Sequence, residues 1–217
     1  MIEAVIFDLD GVLVTTDELH YQAWKTLAES IGIDNFTKED NLRQRGVSRM
    51  ASLEIVLEKT DKNYTEEEKE VLAEKKNTMY VSSLATLSPE DVLPGVMDFI
   101  RFLKSKGIKT AIGSASKNTP LILEKTGIID LFDEIVCGLD TQKSKPDPEV
   151  FLLGAQRLNI SPERCVVIED SDAGIKAAKS GGMYAVAVGA ARNNLHADYS
   201  AQSLDDFDYE RNDLFNE

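Results

Sequence analysis

Between residues 96 and 188, short runs of β-branched and small apolar residues alternate with amphipathic helical stretches. That rhythm restricts the chain to a parallel α/β sheet. Residues 109–113, 134–137, 165–168 and 184–188 read as strands, and residues 119–125, 148–158 and 173–179 read as the helices between them. A further helix is expected to open at Ser88-Pro89-Glu90-Asp91, with Ser as cap and Pro at the first position, and to show apolar spacing from Gly95 to Lys106. Parallel neighbours cannot be joined by tight hairpins, so each helix crosses over a face of the sheet.

One strand stands apart from this series. Val5-Ile6-Phe7 is an apolar run near the N-terminus that ends in Asp8-Leu9-Asp10-Gly11-Val12. It has the composition of a strand buried on both faces, with Gly11 turning the backbone out of it. Asp8 and Asp10 emerge together at the carboxyl end, where open α/β sheets bind ligands. A helix cap plus a turn aspartate accounts for either residue alone but poorly for both. The segment between this strand and the rest of the sheet is helical. Apolar residues recur from Leu19 to Ile31, capping signals recur from Thr37 to Lys76, and Thr65-Glu66-Glu67-Glu68 has the form of a capping box. The expected architecture is therefore a Rossmann-like, doubly wound parallel sheet with an inserted helical cap domain. Residues 1–14 and 89–217 form the catalytic core and residues 15–88 the cap, which opens on linkers near Val14-Thr15-Thr16 and Thr86-Leu87-Ser88-Pro89.

Charge narrows the function. The 217 residues carry a formal net charge of −14, which would repel nucleic acid and anionic membranes. No apolar run approaches the ~20 residues of a membrane span and no basic leader precedes the first strand, so a cytoplasmic protein is expected. The two cysteines, Cys137 and Cys165, lack metal-ligand spacing and read as buried thiols. In so acidic a chain, the cations of Arg43-Gln44-Arg45-Gly46-Val47-Ser48-Arg49 and Lys75-Lys76 point to an anion-facing surface, although a solvated helix face is equally compatible. The acidic tail from about Asp205 to Glu217 carries Phe207, Tyr209 and Phe215, which suggests that part of it docks.

Three more strand ends carry reactive residues. Ser114-Ala115-Ser116-Lys117-Asn118 offers hydroxyls and free N–H groups ahead of a helix, an anion site by geometry. In Lys143-Ser144-Lys145-Pro146-Asp147-Pro148, two prolines stiffen the loop that holds Lys145. Glu169-Asp170 is a second acidic pair. Convergence of Asp8, Asp10, Glu169 and Asp170 would raise their pKa values or demand a cation, and hard oxygen ligands favour Mg²⁺. His20, on the first helix, fits either a structural histidine or a relay near the carboxylates. An acidic metal cleft, a held lysine and an anion site together fit phosphoryl transfer.

In order and spacing, Asp8-Leu9-Asp10-Gly11-Val12, the strand ending in Ser114, Lys145-Pro146 and Glu169-Asp170 resemble the four motifs of the haloacid dehalogenase superfamily. Thr16, His20, Trp24, Gly46-Val47-Ser48-Arg49, Ser52 and Lys76 in the cap, with Ser114-Ala115-Ser116-Lys117-Asn118, are similar to the branch that interconverts β-D-glucose 1-phosphate and glucose 6-phosphate. Thr15 departs from the Asp common in that branch.

The resemblance implies that Asp8 is the nucleophile, forming an aspartyl-phosphate, and that Asp10 is the general acid/base. It implies Mg²⁺ on Asp8, the Asp10 backbone carbonyl and Asp170, with Glu169 as a ligand or behind one. Lys145 and Ser114 would orient the reacting phosphoryl group. Arg49, Ser116, Lys117 and Asn118 would hold the second phosphate of a glucose 1,6-bisphosphate intermediate, and Lys76 and the 46–52 loop would line the sugar site. The expected partner is a small sugar phosphate, not nucleic acid or membrane, and the protein is expected to be a monomer. A sugar-phosphate or phosphoglycolate phosphatase and a non-catalytic sugar-phosphate-binding protein are the alternatives.

Overall fold

The computed structural model describes residues 1–215; the last two residues of the acidic tail, Asn216 and Glu217, lie outside the described residues. Six strands form one parallel sheet: β1 (Ala4–Phe7), β2 (Lys109–Gly113), β3 (Glu134–Val136), β4 (Cys165–Glu169), β5 (Tyr184–Ala187) and β6 (Tyr199–Ser200). Their order is β3-β2-β1-β4-β5-β6, so the strand made first lies inside the sheet, with Ile6 opposite Ala111 on one side and Val167 on the other. All four residues of β1 are buried, as its uninterrupted apolar composition requires.

Alternate residues of each strand feed two apolar layers. Val5, Phe7, Ile112 and Val166 pack with Val96, Phe99 and Leu103 of α5 (Val96–Ser105) and with Ile122 and Leu123 of α6 (Thr119–Thr126). Ile6, Ala111 and Val167 pack with Phe151 and Ala155 of α7 (Glu149–Leu158) and with Ile175 and Ala178 of α8 (Asp172–Ser180). Each large side chain buried in this way contributes about 1.5–3 kcal/mol. The doubly wound expectation is met. Phe207, Tyr209 and Phe215 of the tail close around Phe99, with ring centroids at 6.0, 4.7 and 5.8 Å.

Residues between β1 and β2 build α1 (Asp17–Ser30), α2 (Lys38–Leu42), α3 (Arg49–Leu57) and α4 (Glu66–Ser83) ahead of α5. Thr37 with Asp40 and Thr65 with Glu68 form reciprocal capping boxes, and Ser48 accepts from the Ala51 N–H to start α3. Helices α1, α3 and α4, with Phe36 from the segment before α2, enclose their own apolar cluster around Trp24, Leu27, Leu53, Val56 and Ala73. Ala23, Tyr80 and Leu84, on the side facing the sheet, join the larger cluster instead.

The helix expected from Ser88 is interrupted. Ser88 caps a single 3₁₀ turn, Pro89–Asp91, and α5 starts only at Val96. Pro94 disfavours a helical conformation at Leu93, and the Leu93 N–H is committed to the Leu13 carbonyl at 2.9 Å. Val14 and Val92 form an antiparallel bridge beside it, so the two chain crossings between helices and sheet run side by side. β6 was not expected, being only two residues long, and the other element ends shift by a residue or so.

Candidate active site

Asp8 follows β1 directly, and Lys145, Glu169 and Asp170 reach it from neighbouring strand ends. The Lys145 ammonium donates to Asp8 Oδ1 at 2.5 Å and to Glu169 Oε1 at 2.6 Å, and all three side chains are buried. Glu169 Oε2 accepts from the Ser171 N–H at 2.7 Å and its hydroxyl at 2.8 Å. Burial alone would lower the Lys145 pKa, but Asp8 and Glu169 outweigh it and hold it above the usual lysine value. Burial raises Asp8 to about 7 against the pull of Lys145, with Glu169 and Asp10 adding to the rise. Asp170 rises to about 9 through burial and the charges of Glu169 and Asp8.

These raised values come first from burial and then from the mutual repulsion of the carboxylates. Carboxylate oxygens of Asp8, Glu169 and Asp170 lie within 4.8 Å of one another, a donor set that fits a hard divalent cation such as Mg²⁺. Gly11 is required beside them. It adopts φ +78°, and a Cβ there would lie 2.1 Å from Asp170 Oδ2.

The expected four-carboxylate cluster is reduced to three. Asp10 turns its carboxylate to the Thr16 hydroxyl, which in turn accepts from the Tyr80 hydroxyl at 3.0 Å. Of Asp10, the resemblance requires only the backbone carbonyl at the cation. Burial raises the Asp10 carboxyl to about 6, with Thr16 opposing and Asp17 assisting the rise.

Above Asp10 lies a second polar group. Lys76 Nζ lies 2.7 Å from His20 Nδ1, a hydrogen bond between the two, and sits over the rings of Trp24 and Tyr80, at 4.7 and 4.5 Å from their centroids. Burial, Lys76 and Arg49 hold the His20 pKa well below its usual value, so the ring is neutral. Burial and Arg49 lower Lys76 to about 7, with Asp10 opposing.

Helical segment and sheet meet over one cavity of about 670 Å³. Asp8, Asp10, Ser114, Lys145 and Asp170 line it from the sheet side, with Ala115, Ser116, Lys117 and Asn118. His20, Trp24, Gly46, Val47, Arg49, Ser52 and Lys76 line it from the helical side. Thr16 and Glu169 stand behind the wall, the former holding Asp10 and the latter Lys145. The Ser114 hydroxyl accepts from the Ser116 N–H at 3.1 Å, and the Ser116 hydroxyl accepts from the Asn118 N–H at 3.2 Å, which draws that loop into a curl.

Two contacts fasten the helices onto the sheet. Arg45 approaches Asp170 at 3.4 Å while also pairing with Asp17, and Asn118 Nδ2 donates to Asn77 Oδ1 at 3.0 Å. Gly46, with φ +72°, lies so close to the core that a Cβ would meet Ser171 Oγ at 2.6 Å. Tyr80, Asp17, Glu74 and Asn77 were not singled out from sequence, and Arg45 was seen only as part of a basic loop. Tyr80 and Asn77 follow Lys76 at spacings of four and one on α4, which was the available signal.

A family model described as haloacid dehalogenase-like hydrolase matches residues 2–182. The chain belongs to the haloacid dehalogenase-like hydrolase family. Among its relatives, a β-phosphoglucomutase of Bacillus subtilis is 44% identical over 210 residues, covering 96% of this chain and 92% of the relative. A phosphorylated carbohydrates phosphatase of Thermotoga maritima is 39% identical over 185 residues, covering 83% and 82%. The crystal structure of a β-phosphoglucomutase from Clostridium difficile superposes with a TM-score of 0.91 at 42% identity, covering 97% of this chain and 95% of that one.

Proposed function

We propose that the protein interconverts β-D-glucose 1-phosphate and glucose 6-phosphate through an aspartyl-phosphate and a glucose 1,6-bisphosphate intermediate. The observation that supports this reading is one cavity whose lining includes both Asp8, Lys145 and Ser114 and a second set of cationic and hydrogen-bonding groups, Arg49, Ser116, Lys117 and Asn118, suited to a phosphate. A phosphatase needs one phosphate site and admits water. A mutase needs two, and a cover that keeps water from the phosphorylated carboxylate. Near-full-length similarity to two β-phosphoglucomutases supports the same choice.

On this reading residues 15–88 act as the cap and residues 1–14 with 89–217 as the core. An Asp8 carboxylate oxygen attacks phosphorus, and the phosphorus–oxygen bond to the donor breaks as Asp10 protonates the departing oxygen. In the return direction Asp10 takes the proton from the accepting sugar hydroxyl while the phosphoryl group leaves Asp8. Asp8, the Asp10 carbonyl and Asp170 would hold Mg²⁺, with Glu169 behind; when bound, the ion offsets charge on the transferring group. Lys145 and Ser114 orient that group, while Thr16, His20 and Lys76 position Asp10 and the sugar beside Trp24, Gly46, Val47 and Ser52. Ala115 contributes backbone to the loop that takes the second phosphate. No helix among the described residues is long and apolar enough to cross a membrane; we infer a cytoplasmic monomer that acts on small sugar phosphates and not on nucleic acid.

The test is to incubate the protein with Mg²⁺, β-glucose 1-phosphate and trace bisphosphate and to measure glucose 6-phosphate and free phosphate separately. Glucose 6-phosphate is expected to dominate. Dominant free phosphate would instead assign a sugar phosphatase, in line with the Thermotoga relative, and absence of both products would leave a binding protein.

A further inference from the structure

Helix α4 brings two carboxylates, Glu70 and Glu74, into the wall of a cavity otherwise equipped to receive an anion. Glu74 Oε2 accepts from Arg49 Nη1 at 3.1 Å, and Glu74 Oε1 accepts a longer bond from Asn77 Nδ2 at 3.4 Å. Asn77 Oδ1 accepts from Asn118 Nδ2 at 3.0 Å. A continuous polar chain therefore runs from Asn118 on the core, through Asn77 and Glu74, to Arg49 on the cap. Its two ends are groups assigned above to the non-reacting phosphate, and its middle is an anion.

Resting on the mutase reading, we propose that Glu74 is a resident carboxylate that occupies Arg49 in the empty cavity and is displaced by the non-reacting phosphate. It thereby sets how tightly that phosphate is held. The Arg49 side chain is 23% exposed and the Glu74 side chain 66% exposed. A guanidinium so enclosed needs a counter-ion, whereas a carboxylate so exposed gives up its bond cheaply and returns to water. A phosphate dianion offers Arg49 more charge and more acceptor oxygens than a carboxylate, so it wins the exchange where a monoanion does not.

Such moderation suits a bisphosphate. Each of its two phosphates must in turn face Asp8, so neither can be gripped irreversibly at the far position.

The experiment measures equilibrium binding of glucose 6-phosphate, and of inorganic phosphate as the minimal probe, by calorimetry. Glu74→Gln is expected to tighten binding by about three- to tenfold at low salt, with the gain shrinking as salt is raised. Glu74→Ala should behave alike. In an Arg49→Met background the gain should vanish. Glu70→Gln, one turn earlier on the same helix and without an ion pair to Arg49 among the described residues, should change binding by less than about twofold.

Unchanged or weaker binding by both Glu74 variants would overturn the proposal and make the carboxylate a prop for Arg49. An equal gain from Glu70→Gln would also overturn it, in favour of a general field effect. Because the readout is binding and not turnover, release of free phosphate in the product assay would unseat the mutase reading without deciding the Glu74 result.

Discussion

Lys76 places its ammonium group against an imidazole and two aromatic rings, with no carboxylate in bonding contact. The folded protein therefore binds this proton less tightly than the unfolded chain does, with a pKa lowered from 10.5 to about 7. Between those values the unfolded state carries more protons, so stability rises with pH, and the full penalty applies below about 7. Lys76→Met is expected to raise stability by a few kcal/mol at pH 6, a gain that shrinks toward pH 10. Denaturant titrations at several pH values check this; a gain independent of pH would mean that the residue matters only for packing. Asp10→Asn is expected to cut isomerisation by about 10²–10⁴-fold. Phosphorylation of Asp8 by acetyl phosphate, whose leaving group needs no proton, should persist in this variant, and rapid mixing with radiolabelled donor would measure it. The doublet itself was legible in sequence because charge at the end of an apolar run is costly. The turning of Asp10 toward Thr16 was not, since Tyr80, which completes that hydrogen-bond chain, reads like any core aromatic at helical spacing.

At the scale of elements, the turn after β1 is the tightest requirement. Gly11→Ala would place a methyl group 2.1 Å from the Asp170 carboxylate at φ +78°, and relieving both problems is expected to cost about 1–3 kcal/mol. Calorimetric melting measures that loss, and the same variant should show a weaker stabilisation by Mg²⁺ because Asp170 is pushed from its place. Periodicity made the βαβ units legible, and the Thr65 box marked the start of α4 correctly. Thr37 was legible as a capping signal but not as a reciprocal box, because Asp40 stands where Glu or Gln is the familiar partner. Pro94 and Gly95 announce the break before α5, yet the apolar spacing around them imitates a continuous helix. What no local pattern could supply is the bridge from Val14 to Val92, which depends on two segments far apart in sequence coming together.

For the whole molecule, the meeting of cap and core is the functional unit. The acidic cluster faces Lys145 on one side and Arg45 on the other, and burial together with the neighbouring carboxylates raises Asp170 to about 9, a strain that a divalent cation would relieve. Mg²⁺ is therefore expected to raise the melting temperature, by the equivalent of about 2.7 kcal/mol when present at 100 times its dissociation constant. Chelation should reverse the rise, and Asp170→Asn should abolish it; thermal scans with and without EDTA decide the matter. Topology placed the strand ends together from sequence alone. The contacts that close the cavity, Arg45 with Asp170 and Asn77 with Asn118, join residues whose proximity only the folded chain creates.

The interior position of β1 also has a consequence for synthesis on the ribosome. The strand that leads into Asp8 emerges first, but its pairing partners are residues 109–112 and 165–168. Until those segments are translated it is an unpaired apolar ribbon. Helices α1, α3 and α4 can meanwhile gather around Trp24 and Phe36, holding the nascent chain compact while the sheet waits for its second half.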